Sequence, residues 1–341
     1  MRNVSAIGGG PASLRVPSPS RLLSIYPRSK SSLLENKLRA IGKKGGAMAT
    51  ESELITALAA IFQAQPHERV LLGIGDDAAV VTMPKVRGDS SAVLAADMAV
   101  EGVHFKREWS SLFEIGAKIT AANLADIYAM GGKPDFLLVS AAVPKNFSVQ
   151  EAQELASGIV DEASKVGAVV VGGDLTRSDT MVISISVFGS IKNPITRSGA
   201  QVGDLVIVNE LPGKSAAGLA LLQAGIHDER SANHRRPLVD YVAAKDFALA
   251  GVSSMTDISD SLVLGLSQIA KASGVGIEIN SDPEMDIHGG EDHIFLATIS
   301  PHLPFPRQAI EIGRVVLGKG VRVDGVPVTH QGFSHFEEPG E

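Results

Sequence analysis

Leu72-Gly-Ile-Gly-Asp-Asp-Ala-Ala-Val-Val81 sets two adjacent carboxylates on a glycine-flanked turn between two apolar runs. Residues 70–74 and 79–82 are expected as strands, so Asp76 and Asp77 fall where the chain reverses. Two like charges ~4 Å apart, at an effective dielectric of ~20, repel by roughly 4 kcal/mol. A turn that buries both needs a positive partner, and a hard divalent cation with oxygen ligands meets that need. A solvated Asp-Asp in a hairpin satisfies the same residues without a ligand.

Around this turn the chain reads as a soluble globular protein. Hydrophobic residues are 44% of the 341 and charged residues 20%, which supplies an ample core, and the length suggests two domains. No apolar run approaches the roughly 18 residues a membrane helix needs. Without cysteine, disulfides, thiolate nucleophiles and Cys-ligated metals are excluded, and a cytoplasmic location fits. Residues 1–47 hold nine Lys/Arg and one acid, +8 within a chain of net charge −7, leaving −15 for the remainder. An acidic body argues against nucleic acid as a partner. The basic, Ser- and Pro-containing segment 1–47 is expected to be a disordered leader or a mis-assigned start. Met48 then opens the body, with Thr50 or Ser52 capping a helix from Leu54.

Further along, strands are expected at residues 92–96, 136–143, 168–171, 182–190, 205–208 and 255–257. Helices are expected at 112–130, 149–166, 215–224, 239–250 and 259–273. On the first helix Asn123 and Asp126 are three apart and project from one side. Arg197-Ser-Gly-Ala-Gln-Val-Gly-Asp204 reads as a linking loop, which divides the body into domains at 48–195 and 196–341. His234-Arg235-Arg236 reads as an exposed basic loop, and no Ser-His pair is evident. No lysine-bearing phosphate loop of the G-x-x-x-x-G-K-[ST] type occurs.

Four more acidic motifs place an acid beside small residues at a junction. They are Ala95-Ala-Asp97-Met-Ala-Val-Glu-Gly-Val-His104-Phe, Ala121-Ala-Asn123-Leu-Ala-Asp126, Val171-Gly-Gly-Asp174-Leu-Thr-Arg177 and Thr256-Asp257-Ile-Ser-Asp260. Singly, a strand-end aspartate is an ordinary helix cap and a Gly-Gly-Asp an ordinary turn. In this order they resemble thiamine-monophosphate kinase, of the superfamily that includes aminoimidazole-ribonucleotide synthetase, over residues 53–336.

That resemblance implies a two-domain aminoimidazole-ribonucleotide synthetase-like fold, α+β and α/β. Its N-terminal α+β domain would dimerise to a homodimer, and its C-terminal domain would be α/β. It implies ATP-dependent phosphorylation of thiamine monophosphate to thiamine diphosphate, with several Mg²⁺ ions. The metal ligands would be Asp77, Asp97, Asp126, Asp174, Asp257 and Asp260. Gly173, Asp174, Arg197 and Ser259 would contact ATP, and His104, Glu291 and Phe333 the acceptor. Such an acidic, cation-recruiting site holds two anionic substrates without a basic cage, because phosphoryl transfer asks chiefly for positioning and charge neutralisation.

Departures from the family pattern bear on the same site. Ala95 and Met98 replace hydroxyl residues, Val166 replaces a tyrosine, Ser261 a glycine and His293 a tyrosine. The segment between Ile279 and Gly289 is short. Two other readings stay open: another ATP-using member such as aminoimidazole-ribonucleotide synthetase, or a non-catalytic regulator that binds nucleotide and metal.

Overall fold

The computed structural model of the chain describes residues 70–72, 76, 79–81 and 90–329. The expected leader at 1–47, the helix from Leu54, Asp77 and Phe333 lie outside them.

A first sheet is built from β1 (Val70–Leu72), β2 (Ala79–Val81), β3 (Ser91–Val100), β4 (Lys133–Val143), β5 (Val169–Arg177) and β6 (Val182–Ile191). Its order is β1-β2-β3-β6-β4-β5. β4 and β5 run parallel and the other neighbours antiparallel. A parallel pair needs a crossover, which helix α2 (Val149–Ser164) supplies between β4 and β5. Helix α1 (Leu112–Ala129) joins β3 to β4. Both helices start where Ser-x-x-Glu falls, at Ser111 with Glu114 and at Ser148 with Glu151, each a reciprocal capping box.

Alternation along β6 shows which face of this sheet is covered. Ile183, Ile185 and Val187 are fully buried, whereas Phe188 is exposed. The covered face packs on α1, which is buried almost throughout and also meets the second half of the chain. Ile115, Leu124 and Ile127 of α1 share one core with Val93, Ile207, Phe247 and Phe295. α1 and α2 approach closely through glycines. A Cβ built on Gly158 would lie 2.0 Å from the Phe113 carbonyl oxygen, and one on Gly116 2.4 Å from that of Leu155.

The second sheet comprises β7 (Leu205–Val208), β8 (Ser254–Ile258), β9 (Gly276–Ile279), β10 (Ile294–Ile299), β11 (Ile310–Val316), β12 (Gly320–Val323) and β13 (Val326–Val328). Its order is β13-β12-β9-β11-β7-β10-β8. Only β9 and β12 pair in parallel there, so the acids at the end of β8 are brought in by the antiparallel neighbour β10. Helices α3 (Lys214–Gln223), α4 (Ala232–Arg235), α5 (Tyr241–Ala250) and α6 (Leu262–Ser273) flank it. No helix among the described residues is long and apolar enough to cross a membrane.

Two local expectations are corrected. Helix α6 begins three residues later than its apolar spacing suggests, because Ser261 is the cap and its hydroxyl accepts from the Leu264 N–H at 3.1 Å. Ser261, and neither Asp257 nor Asp260, is thus the N-cap of α6. His234-Arg235-Arg236 is not an exposed loop: it ends α4, with His234 buried. Arg235 Nε donates to Glu114 Oε1 at 2.9 Å, and Arg236 pairs with Asp161 and Glu162. Glu162 is wholly buried, yet Tyr241 Oη donates to it at 2.9 Å and Lys165 Nζ at 2.6 Å. A buried carboxylate so surrounded is tolerated, and it ties α2 to α4 and α5.

Gly158→Ala should therefore lower stability by about 1–3 kcal/mol, read as a lower midpoint in urea unfolding. An unchanged midpoint would mean that α1 and α2 do not meet as closely as the structure has them.

Candidate active site

Strand β3 runs through Asp97 to Val100, longer than the expected 92–96, so Asp97 stands inside a strand and not at its end. Its height on α1 is set by Asn123. The Asp97 N–H donates to Asn123 Oδ1 at 3.0 Å, while Asn123 Nδ2 donates to the Ile119 carbonyl at 2.9 Å. Asn123 is fully buried and both ends of its amide are used here, so it positions an acid and does not offer itself to a ligand. Asp126, one turn on, is half-buried. After β3 the chain turns at Gly102, whose φ is +87°. His104 Nδ1 accepts from the Val100 N–H at 3.0 Å, which leaves the proton on Nε2 as a donor.

The opposite wall comes from β8 and the loop before β10. Asp257 is buried in β8, and its Oδ2 is 3.2 Å from His293 Nδ1. Asp260 and the exposed Ser259 follow on the turn. The 289–293 loop lies flush on that turn: a Cβ on Gly290 would be 2.3 Å from the Asp260 carbonyl oxygen. Glu291 and His293 adopt φ of 60° and 51°, which non-glycine residues adopt only when surroundings impose it. The Glu291 carboxylate accepts from Lys118 Nζ of α1 at 2.8 Å, and the same ammonium is 3.4 Å from the His104 carbonyl. Asp292 turns away to cap α3, accepting from the Gly213 and Ser215 N–H groups, both at 2.7 Å.

A Ser-His pair does occur, against the sequence reading. Ser215 Oγ is 3.1 Å from His234 Nδ1, and Glu291 Oε2 is 3.4 Å from that same nitrogen. A relay needs one partner on each ring nitrogen, so this constellation passes no proton from serine to carboxylate. Ser215 is also buried.

The electrostatics separate the groups. Asp97 keeps much of its surface exposed, yet the protein packed around it, then the charges of Asp257 and Asp260, raise its carboxyl above the ordinary range, with His293 opposing. Burial would raise Glu291, but Lys118 and then His234 and His293 bring it below the usual carboxylate value. Burial works against a charged His293, yet the Asp257 hydrogen bond and charge raise it. Burial, then the Lys118 charge, depress His234 to about 4.

The structure thus brings Asp97, Asp257 and Asp260 into one field, and joins His104 to Glu291 through Lys118. Arg197 stands beside them. Its N–H donates to Asp76 Oδ2 at 3.1 Å, and its Nε lies 3.2 Å from Thr256 Oγ1 and 3.7 Å from Asp76 Oδ1. Asp174 is placed elsewhere. Register pairs Met98 with Ser184, Ser184 with Ser140 and Ser140 with Asp174, whereas Asp97 pairs with Ile185 on the covered face. Asp174 is therefore three strand spacings, roughly 14 Å, from β3 and on the other face. Gly173 beside it admits no side chain, since a Cβ would lie 1.7 Å from the Val139 carbonyl oxygen. Among the described residues no three His, Asp or Glu side chains are close enough together to hold a metal ion as they stand.

Sequence reasoning passed over Lys118, Asn123 as a positioning group, and the pairing of Asp76 with Arg197. Lys118 did carry a signal: it is the one charged residue between Glu114 and Asp126, on a face otherwise suited to a core.

Residues 75–191 match the family model described as AIR synthase related protein, N-terminal domain. The thiamine-monophosphate kinase of Mycobacterium tuberculosis is 37% identical over 297 residues, covering 79% of this chain and 87% of that protein. The chain belongs to the thiamine-monophosphate kinase family. The Bacillus subtilis member of the family is 34% identical over 260 residues, covering 69% of this chain and 79% of its own. A solved structure, AaThiL complexed with AMPPCP and TMP, superposes with a TM-score of 0.76 at 30% identity, over 84% of this chain and 97% of that one. The two-sheet architecture is accordingly that of the thiamine-monophosphate kinase family, as the motifs implied.

His234 gives a pH test of this geometry. Its folded pKa, about 4, lies below the ordinary 6.5, so the unfolded chain binds more protons between those values. Stability should fall as pH drops from 6.5 towards 4, at most by roughly 1.4 kcal/mol per pH unit. His234→Gln should flatten that limb of a denaturation-versus-pH series. An identical slope in the variant would mean that His234 is not buried neutral.

Proposed function

We propose that the chain transfers the terminal phosphoryl group of ATP directly to thiamine monophosphate, giving thiamine diphosphate and ADP. The observation that carries this reading is 37% identity to a thiamine-monophosphate kinase across most of both chains. The convergence of Asp97, Asp257 and Asp260 beside the His104–Lys118–Glu291 unit agrees with it.

Mg²⁺ fits the donor set on chemical grounds. The acids offer oxygen alone, and Asp97 is raised first by burial and then by the negative charges of Asp257 and Asp260, with a single imidazole, His293, opposing. On our reading Asp77, Asp97, Asp126, Asp257 and Asp260 hold several ions, and Asp174, three strands away on the other face of the sheet, holds its own apart from these. Bound Mg²⁺ supplies the charge neutralisation that transferring phosphate oxygens demand. The chain's own residues do the rest. Arg197 presents a permanent forked cation to ATP phosphates, steered by Asp76. Gly173 and Ser259 contact the nucleotide on the same reading, Ser259 through its exposed hydroxyl. His104 offers its Nε2 proton and Glu291 its remaining carboxylate lone pairs to the acceptor, with Phe333 bordering it. Direct in-line transfer suffices, because oriented substrates and neutralised charge supply most of the rate.

A homodimer belongs to the same reading. Phe136 and Phe188 are paired neighbours on the open face of the first sheet, and with Met98 and Leu138 they are 37–59% exposed. A contiguous apolar face of this kind suits a second copy of the chain. Asp174 shares that face, so it would stand at the dimer seam. A cytoplasmic setting suits a chain without cysteine.

The deciding assay offers Mg-ATP with thiamine monophosphate, thiamine or an aminoimidazole precursor. Thiamine monophosphate alone should be phosphorylated, with one ADP per thiamine diphosphate. Asp97→Asn and Asp257→Asn should each lower kcat roughly 10²-fold or more. Turnover of the purine precursor alone would move the chain to another branch of the superfamily. ATP binding with no acceptor turned over would make it a regulator.

A further inference from the structure

We propose that Lys118 is a positioning residue for the acceptor side of the site, fixing Glu291 and the His104 turn as one rigid unit; the proposal rests on the phosphoryl-transfer reading above. Lys118 comes from the middle of α1 and is 6% exposed. Its ammonium meets the Glu291 carboxylate at 2.8 Å and the His104 main-chain oxygen at 3.4 Å. A buried ammonium cannot be left without partners, so both contacts are enforced by the helix that carries it. They reach residues 14 and 173 positions away in sequence. One side chain therefore sets the spacing between two acceptor contacts that belong to different halves of the chain.

The loop end of this unit needs such a tether. Glu291 is held at φ 60°, a conformation its own backbone does not favour, and its N–H donates to the Ser259 carbonyl. The side-chain end is then anchored by Lys118, with His234 Nδ1 3.4 Å away on the same oxygen. Because the pair is internally neutral, the remaining oxygen of Glu291 recognises an acceptor through an N–H or O–H donor and not through net charge. Loss of Lys118 should free the loop and weaken acceptor binding while leaving the nucleotide side, built by Arg197, Asp76 and Thr256, in place.

The test compares wild type, K118M, K118R, E291Q and K118M/E291Q in steady-state kinetics, with thiamine monophosphate binding followed calorimetrically. K118M should raise KM for thiamine monophosphate on the order of tenfold or more, with KM for ATP within about twofold of wild type. K118R, which restores a charged donor, should recover most of the loss. The double variant should be no worse than E291Q, since both changes remove one interaction. Should K118M fail to fold, K118Q carries the same comparison. Equal rises in both KM values, no rescue by K118R, or additive losses would make Lys118 merely structural and overturn the proposal. An unchanged KM for thiamine monophosphate in K118M or K118Q would do the same, with the kinase reading intact. A wild-type chain that neither binds nor phosphorylates thiamine monophosphate would remove the functional reading, and this proposal with it.

Discussion

A helix buried on nearly all sides must find partners for the charged and amide groups it carries, and α1 does so for Lys118 and Asn123, and for the Thr120 hydroxyl. Among its described side chains only the Tyr128 hydroxyl is buried without a hydrogen bond. Thr120 closes on its own helix, donating to the Gly116 carbonyl at 2.8 Å. Asn123 holds the backbone of Asp97, and Lys118 holds Glu291 and the His104 carbonyl. Leaving any of these unpaired would cost a desolvation penalty larger than the net value of the bond itself. The register of β3, the turn after it and the 289–293 loop all follow from that requirement. Chemistry gathered from three distant stretches of chain is thus referenced to one rigid element.

The second sheet contributes by close packing and an unusual loop. Strands β8 and β10 pair from Ile258 and Ile294 back to Ser254 and Thr298, which delivers Asp257 and the residues before β10 to the same edge. Gly290 lets the loop lie on the Asp260 carbonyl, and left-handed conformations at Glu291 and His293 aim both side chains inward. His293 then balances Asp257, a role that a tyrosine in its place would not fill. The buried Glu162 set on α2 makes a second polar tie to the 232–241 region, independent of the active-site acids.

Much of this was legible in the sequence where a rule is local. The Ser-x-x-Glu starts of α1 and α2, the strand at Leu205–Val208 and the closure of α6 at Gly274 all follow from neighbours within a turn or two. The grouping of Asp97 with Asp257 and Asp260 was legible only through the order of motifs, because nothing local links residues so far apart. Where a partner lies across the fold, reading failed. His234 and Arg236 looked solvated because their carboxylates, Glu291 and Glu162, are distant in sequence. The expected helix start at residue 259 failed for a smaller reason: Ser259 and Ser261 are both competent caps, and β8 runs on to Ile258. Asp174 reads as a companion of Asp97, yet the bulge between Leu137 and Leu138 and the strand order set it on the other face.

The most direct test of this account is a crystal structure of the chain with Mg²⁺, a non-hydrolysable ATP analogue and thiamine monophosphate. The account requires metal density against Asp97, Asp257 and Asp260, nucleotide phosphates at Arg197, and the acceptor against His104 and Glu291 with the Lys118 pair intact. Metal bound away from these acids, or an acceptor that leaves Glu291 untouched, would contradict it.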